Sequence, residues 1–128
     1  MNDAVKTYDI DGVINLDEFG VGIRPSSERD IIITGRSYQE AESTLRFLHT
    51  NDIKNQVFFN PVSFDEKTRE SSGWHKARTI NMLKDLGSNI VIHFEDDPVQ
   101  ADIIENNTTV TVIRVNHNNL IELENVKR

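Results

Sequence analysis

Asp9 and Asp11, two aspartates one residue apart, end a short apolar run and are followed at once by Gly12. Alternate residues of a strand point the same way, so both carboxylates would lie close enough to share a cation or a phosphate. Adjacent carboxylates repel each other unless a metal or a cationic group neutralises them. Gly12 allows a sharp turn where a Cβ would clash. Alone, the pattern fits a solvated turn as well as a functional site.

Polar residues also follow two later runs that are typical of buried strands. They are Thr34, Gly35 and Arg36 after the run 30–33, and Glu95, Asp96 and Asp97 after the run 89–94. In parallel α/β sheets, ligands bind beyond the carboxyl ends of the strands. We therefore expect these groups to meet the aspartate pair at one edge of a sheet.

The elements that must position these residues alternate along the chain. Strands are predicted over 4–10, 30–34, 56–59, 89–94 and 108–115, and helices over 37–50, 72–86 and 98–105. Ser37 and Glu40 have the spacing of a capping box, Gly87 suits the residue after a helix, and Pro98 suits a first turn. This alternation predicts an α/β fold with a mainly parallel five-stranded sheet and helices on both faces.

Three further segments carry weaker signals. Residues 13–24, with Gly20 and Gly22, predict a small β-hairpin flap with its tip near 17–20. Residues 62–72 have no clear period and predict a surface loop. A short helical turn is predicted around Leu120, Ile121 and Leu123.

Composition limits the classes of function. The 128 residues suit one domain spanning 1–128, and the net charge of -7 argues against extended duplex DNA binding and against anionic membranes. The absence of cysteine excludes disulfides, zinc–thiolate sites and a cysteine nucleophile. No apolar leader or transmembrane run is present in this sequence, so a cytoplasmic location is expected.

The collected residues suit phosphoryl chemistry. Carboxylates from two strands make an all-oxygen site, which suits Mg²⁺, especially when a phosphate completes the coordination shell. The hydroxyl of Thr34 and nearby backbone N–H groups suit a phosphoryl oxygen. Lys76, near the predicted start of its helix, could supply the positive charge that phosphoryl transfer needs.

The order of these motifs resembles the haloacid dehalogenase-like phosphatases. The matching segments are Asp9-Ile10-Asp11-Gly12, Ile32-Ile33-Thr34-Gly35-Arg36, Lys76 and Glu95-Asp96-Asp97-Pro98, within residues 4–115. The resemblance implies a three-layer, Rossmann-like fold and a Mg²⁺-dependent phosphatase that hydrolyses phosphomonoesters through an aspartyl-phosphate. Neither gap between the motifs has room for a folded cap domain, so an open site is expected.

The resemblance also implies roles for single residues. Asp9 would be the nucleophile and Asp11 the general acid/base. Thr34, with Gly35 and Arg36, would bind the phosphoryl group, and Lys76 would steady it. For the metal, the resemblance implies Asp9, Asp11 through its backbone carbonyl, and Asp96. Asp97 is the second candidate for a metal ligand in the last motif. Glu95 is a candidate for a residue that contacts the ligands without binding the metal itself.

Alternatives remain open at this stage. The motifs are also similar, more loosely, to the phosphatase domain of polynucleotide kinase-phosphatases, which removes 3′-phosphates from nucleic-acid ends. Arg24, Arg36, Lys67, Arg69 and Arg78 could form a basic rim for such an end, and a phosphorylated protein is another candidate partner. A non-catalytic binding module with the same fold would keep the same residues. A response-regulator receiver domain is disfavoured because Phe59-Asn60-Pro61 stands where its phosphorylated aspartate would follow the third strand.

Overall fold

The computed structural model describes residues 3–116, which include one five-stranded sheet. Its strands are β1 (Ala4–Tyr8), β2 (Ile31–Ser37), β3 (Val57–Asn60), β4 (Asn89–Glu95) and β5 (Thr111–Arg114). Every neighbouring pair is parallel, in the order β3-β2-β1-β4-β5. The predicted α/β class and parallel sheet are therefore confirmed.

Three helices connect the strands. They are α1 (Ala41–Thr50), α2 (Arg69–Asp85) and α3 (Pro98–Asn107), with short 3₁₀ turns at Asp17–Phe19 and Tyr38–Glu40. Pro98 opens α3 and Gly87, at a φ of +102°, follows α2, as the sequence predicts. Within residues 3–116, no helix is long and apolar enough to cross a membrane.

Alternation along β2 divides the core into two layers. Ile31 and Ile33 point to the face that α2 and α3 cover, where they pack with Ile80 and Ile104. Ile32 points to the opposite face and packs in a cluster with Leu48 of α1. Since strand side chains alternate, this run of buried isoleucines has to be covered on both sides. The result is a three-layer, Rossmann-like arrangement.

The segment predicted as a β-hairpin flap has its tip where the sequence predicts it, and its two arms are joined by antiparallel hydrogen bonds, but the arms are not regular strands. It is a loop with the Asp17–Phe19 3₁₀ turn at its tip and a single isolated antiparallel bridge between Asn15 and Val21. Val13 and Ile14, which are consecutive, are both fully buried in the same core layer as Ile32. Two neighbouring buried side chains do not fit the in–out alternation of a hairpin, so the loop packs on the sheet instead.

Helix α2 begins three residues before the predicted Ser72. Thr68 is its N-cap: the Thr68 Oγ1 accepts from the backbone N–H of Ser71 at 3.0 Å, and the Ser71 Oγ accepts from the Thr68 N–H at 2.8 Å. This reciprocal pair is a capping box with serine in the place of the usual Glu or Gln. The predicted 62–72 loop therefore ends at the cap.

The last strand is shorter than predicted. Thr108 belongs to the end of α3, because its N–H and its hydroxyl both donate to the carbonyl of Ile104, at 3.0 and 2.8 Å. β5 follows only from Thr111. The helical turn predicted around Leu120, Ile121 and Leu123 lies outside the described residues.

Candidate active site

The strand order reverses at β1, whose neighbours are β2 and β4, so the crevice of the sheet opens at the carboxyl end of β1. The register pairs Tyr8 with Phe94, and the N–H of Asp9 donates to the Phe94 carbonyl at 3.1 Å. Asp9 therefore lies beside Glu95. The two carboxylates come from separate strands, as the sequence predicts.

Lys76 of α2 joins these two carboxylates. Its Nζ lies 3.0 Å from Asp9 Oδ1 and 2.8 Å from Glu95 Oε1, and it donates to Gln100 Oε1 at 2.6 Å. The side chain is 1% exposed. An ammonium has three N–H donors, and here each has an acceptor. The charged end of Lys76 is therefore fixed beside one Asp9 oxygen.

A second tier of buried polar groups supports Glu95. His93 Nε2 lies 3.1 Å from Glu95 Oε1, and His93 Nδ1 lies 2.7 Å from Thr7 Oγ1. All three side chains are fully buried. Burial lowers the pKa of His93, so the imidazole is neutral, donates from Nε2 to the carboxylate and accepts from the Thr7 hydroxyl. His93 is thus a buried, hydrogen-bonded residue of the sheet.

Electrostatics make the two carboxylates unequal. Burial and repulsion by Glu95 raise the pKa of Asp9 well above its usual range, and the attraction of Lys76 offsets this only in part. Burial also disfavours charge on Glu95, yet Lys76 and His93 outweigh it and lower the pKa of that carboxyl to about 2. Burial opposes the charge of Lys76 as well, but Asp9 and Glu95 raise the pKa of its ammonium. Asp9 is thus the carboxylate that would gain most from a second cation.

Asp96 stands next to Asp9 and completes an acidic cluster. Asp9, Glu95 and Asp96 each offer an oxygen, and these oxygens lie within 4.8 Å of one another. Gly12, at a φ of +85°, packs directly on Asp96: a Cβ at Gly12 would lie 1.9 Å from Asp96 Oδ2. The turn after β1 therefore needs glycine for its backbone conformation and for its contact with Asp96. An all-oxygen donor set of this kind fits Mg²⁺.

Asp11 is exposed and is held by Arg36. The guanidinium donates from Nε to Asp11 Oδ2 at 3.0 Å and from Nη2 to Asp11 Oδ1 at 2.7 Å. A third contact, from Nη1 to Thr44 Oγ1 at 3.1 Å, anchors Arg36 to α1. In this state both oxygens of the Asp11 side chain are occupied.

Thr34 lies behind the wall of the cleft. Its side chain is fully buried, and its Oγ1 accepts from the Arg36 N–H at 3.0 Å. Gly35, the next residue, faces Ser72: a Cβ at Gly35 would lie 2.9 Å from Ser72 Oγ. Gly35, Arg36 and Ser72 line the cleft, whereas Thr34 lies behind them in the irregular last part of β2.

Asp97 has a structural part at the start of α3. Its Oδ1 accepts from the Val99 N–H at 3.2 Å, which makes it the N-cap. The side chain also pairs with Arg69, whose Nε lies 3.2 Å from both Asp97 oxygens. Of the three consecutive acidic residues, Asp96 and Asp97 line the cleft, and Glu95 and Asp96 belong to the cluster with Asp9. Asp96 therefore meets both conditions.

These residues surround a cleft of about 400 Å³. Its charged lining is balanced in number, with four carboxylates and four cations. The carboxylates are Asp9, Asp11, Asp96 and Asp97, and the cations are Arg36, Lys67, Arg69 and Lys76. The formal charges of the lining therefore cancel.

Sequence reasoning missed three polar residues of the cleft, Thr68, Ser72 and Gln100. Ser72 lies one helical turn before Lys76, so i,i+4 spacing on one helix was a signal that could have identified it. Gln100 follows the Asp97 cap by three residues, and no feature of the sequence marks it as the third acceptor of Lys76.

Comparison of this chain with models of known protein families, with curated proteins and with solved structures gave no match. The geometry of the site and the order of its motifs are therefore the features that indicate its function.

Proposed function

We propose that this protein is a Mg²⁺-dependent phosphatase that hydrolyses phosphomonoesters through an aspartyl-phosphate on Asp9. The observation that carries the proposal is the contact between Asp9 Oδ1 and the buried Lys76 Nζ at 3.0 Å, on the wall of an open cleft. The order of the motifs, which resembles the haloacid dehalogenase-like phosphatases, supports the same function. The expected cytoplasmic location belongs to this proposal.

Asp9 and Asp96 are the carboxylates that would hold Mg²⁺, because both line the cleft and belong to one acidic cluster. The resemblance adds the backbone carbonyl of Asp11. Glu95 is already paired with Lys76. Asp97 is paired with Arg69 and caps the start of α3. Bound Mg²⁺ would neutralise phosphoryl oxygens and so reduce their repulsion of the nucleophile.

Phosphoryl transfer would begin at Asp9. One oxygen of Asp9 forms a bond to phosphorus, and the bond from phosphorus to the ester oxygen breaks. The leaving oxygen takes a proton from Asp11. The ammonium of Lys76, fixed by three acceptors, stabilises the negative charge that the transferring group carries without having to reorganise.

Hydrolysis of the aspartyl-phosphate would return the enzyme to its starting state. Asp11 takes a proton from a water molecule, whose oxygen attacks phosphorus, and the bond to Asp9 breaks to release inorganic phosphate. For both steps Asp11 has to leave the bidentate contact with Arg36. The freed guanidinium can then donate to phosphoryl oxygens, since it lines the same cleft.

Hydrolysis of an aryl phosphate tests the proposal. Wild-type protein with Mg²⁺ is expected to release inorganic phosphate, and EDTA or Asp9→Asn is expected to abolish release. Asp85→Asn, a matched substitution at an exposed position on α2, should leave the rate unchanged. If the folded protein with Mg²⁺ hydrolyses no member of a phosphoester panel, the site is a binding module and the enzymatic proposal is wrong.

A further inference from the structure

Two large aromatic side chains are exposed on segments that adjoin the cleft. Tyr38 is 64% exposed and Phe64 is 57% exposed. Tyr38 lies in the 3₁₀ turn two residues after Arg36, and Phe64 lies in the loop between β3 and α2, three residues before Lys67. Both segments therefore continue from residues that line the cleft.

Direct contacts hold these two segments together at the rim. Lys67 Nζ donates to the Gly35 carbonyl at 3.2 Å and to Glu40 Oε2 at 2.7 Å. The same ammonium lies 5.1 Å from the centroid of the Phe64 ring. Gln39 Oε1 accepts from the backbone N–H of Phe64 at 2.8 Å. The position of Phe64 relative to the cleft is thus fixed through the segment that carries Tyr38.

The Tyr38 ring is also held on one side only. Its centroid lies 5.8 Å from that of Phe59, at an angle of 42°. Phe59 is buried in the sheet, whereas most of Tyr38 faces solvent. An anchored ring with an open face can accept another planar group at little entropic cost.

We propose that Tyr38 and Phe64, with Lys67 between Phe64 and the cleft, form a subsite that stacks the base of a nucleoside phosphate. Exposed rings next to a cation are the arrangement on which nucleobases stack while a neighbouring phosphate is held. The inference rests on the proposed phosphatase function, and it names a nucleoside phosphate as the class of substrate. Such a phosphate could belong to a free mononucleotide or to the end of a nucleic-acid strand.

Geometry favours a nucleoside over a phosphotyrosyl group. In an aryl phosphate the ring is bonded directly to the ester oxygen, so it lies inside the cleft when phosphorus is at Asp9. The Phe64 ring lies beyond Lys67, which itself reaches the Gly35 carbonyl in the cleft wall. A base separated from its phosphate by a sugar extends outward to that position.

A matched pair of substrates tests the subsite. Adenosine 5′-monophosphate and ribose 5-phosphate carry the same phosphate on the same sugar and differ in the base. Wild-type protein is expected to have a kcat/KM at least about tenfold higher for the nucleotide, and Tyr38→Ala or Phe64→Ala to lower the nucleotide value roughly 5- to 100-fold. The value for ribose 5-phosphate should not change. Trp74→Ala is the control, because Trp74 is an exposed aromatic residue on α2 outside the cleft lining.

Further substrates identify the source of the nucleoside phosphate and distinguish failure of the subsite from failure of the phosphatase proposal. A 3′-phosphorylated oligonucleotide that exceeds the mononucleotide identifies a strand end as the source, and the reverse identifies the free nucleotide. Equal losses on both matched substrates, or a phosphotyrosyl peptide as the best substrate, would overturn the subsite. If no phosphoester turns over, calorimetry with adenosine 5′-monophosphate decides: binding that weakens in Tyr38→Ala supports the subsite, and no binding overturns it.

Discussion

Gly12 shows how a single position can control the candidate metal cluster. The residue combines a positive φ with contact against Asp96, and a Cβ there would overlap Asp96 Oδ2. Asp96 must move if any side chain is added. An effect of such a change on Mg²⁺ binding therefore reports on the turn that positions Asp96 and the adjacent Asp11 carbonyl, without altering a carboxylate.

Gly12→Ala is expected to lower Mg²⁺ affinity roughly 10- to 100-fold, the usual effect of disturbing a residue that positions a ligand. It should also lower the free energy of unfolding by about 1–3 kcal/mol, because alanine is strained at positive φ. Calorimetric Mg²⁺ titration and denaturant unfolding measure the two effects. Gly87→Ala is the control: Gly87 also has a positive φ, but its Cβ would meet nothing within 4 Å. Gly87→Ala should lose stability alone, and equal Mg²⁺ affinities in the two variants would contradict the role of Gly12.

Asp30 is a buried carboxylate far along the chain from the acidic cluster. Its oxygens accept from Tyr8 Oη at 2.8 Å, from the Lys6 N–H at 3.1 Å, and from both the N–H and the hydroxyl of Ser26, at 3.1 and 3.0 Å. Burial by itself would raise the pKa of Asp30, but these donors outweigh it and lower the pKa. The ionised carboxylate thus ties the loop before β2 to β1.

Asp30→Asn is expected to lower the free energy of unfolding by about 1–3 kcal/mol at neutral pH. The reason is that the amide NH₂ group of asparagine would face N–H and O–H donors that now bind a carboxylate oxygen. The folded pKa lies below the unfolded value of about 3.9, so this contribution is complete above that value. It is lost as the pH falls through the folded pKa. Denaturant unfolding of both proteins should therefore show a gap that narrows in acid. A gap that is constant with pH would disprove the ionic role.

Sequence reasoning placed single residues well where chemistry limits the choices. Asp9 and Asp96 do meet, because parallel strands end at the same edge of a sheet. Lys76 also meets Asp9, but it does so from within α2 (Arg69–Asp85) and not from near the start of the helix, as predicted. It could not separate the functions of Glu95, Asp96 and Asp97. Their assignment depends on which way each side chain leaves the end of β4, and that direction is set by the three-dimensional contacts with Lys76 and Arg69.

At the scale of elements, the junction of β4 and α3 combines a helix cap with the candidate metal cluster. Asp97 caps α3, and its own N–H donates to Glu95 Oε2 at 3.3 Å. The neighbouring Asp96 lines the cleft with Asp9. Substitutions at the two positions should therefore have separable effects.

Asp97→Ala is expected to lower the free energy of unfolding by about 1 kcal/mol through loss of the N-cap, whereas Asp97→Ser keeps a capping oxygen and most of that stability. Neither change should lower Mg²⁺ affinity more than a few-fold. Asp96→Asn should instead weaken Mg²⁺ binding strongly with little change in stability. Thermal unfolding and calorimetry distinguish these outcomes, and a strong loss of Mg²⁺ binding in Asp97→Ser would place Asp97 among the ligands.

Element boundaries were predicted least well where short segments depend on distant contacts. The 13–24 segment reads as a hairpin because of its glycines, yet its consecutive apolar residues Val13 and Ile14 fill the face that a crossover helix would otherwise cover. The early start of α2 depends on a Thr–Ser capping pair. β4 was predicted closely, over 89–94 against the observed Asn89–Glu95, because a continuous apolar run is typical of a strand in a parallel sheet. β2, by contrast, continues three residues beyond its predicted end at Thr34.

At the scale of the whole molecule, the strand order explains why the candidate site is where it is. β1 is central and is flanked by β2 and β4, so polar residues at the ends of all three strands lie at one edge of the sheet. Lys76 of α2 contacts Asp9 at that edge. The pairing order could not be derived from the sequence, because local patterns do not say which strands are neighbours. The cleft lies between the loop over 9–30 and the loop over 61–68 and is open to solvent.

Asp9 is proposed to carry the phosphoryl group during turnover. The most direct measurement is acid quenching of the protein during its first turnover of a phosphomonoester with Mg²⁺, followed by peptide mass spectrometry to locate the phosphoryl group. We expect an acid-stable aspartyl-phosphate on the peptide that contains Asp9, and none in Asp9→Asn. Turnover by wild-type protein with the phosphoryl group on another residue, or undiminished turnover by Asp9→Asn, would contradict it.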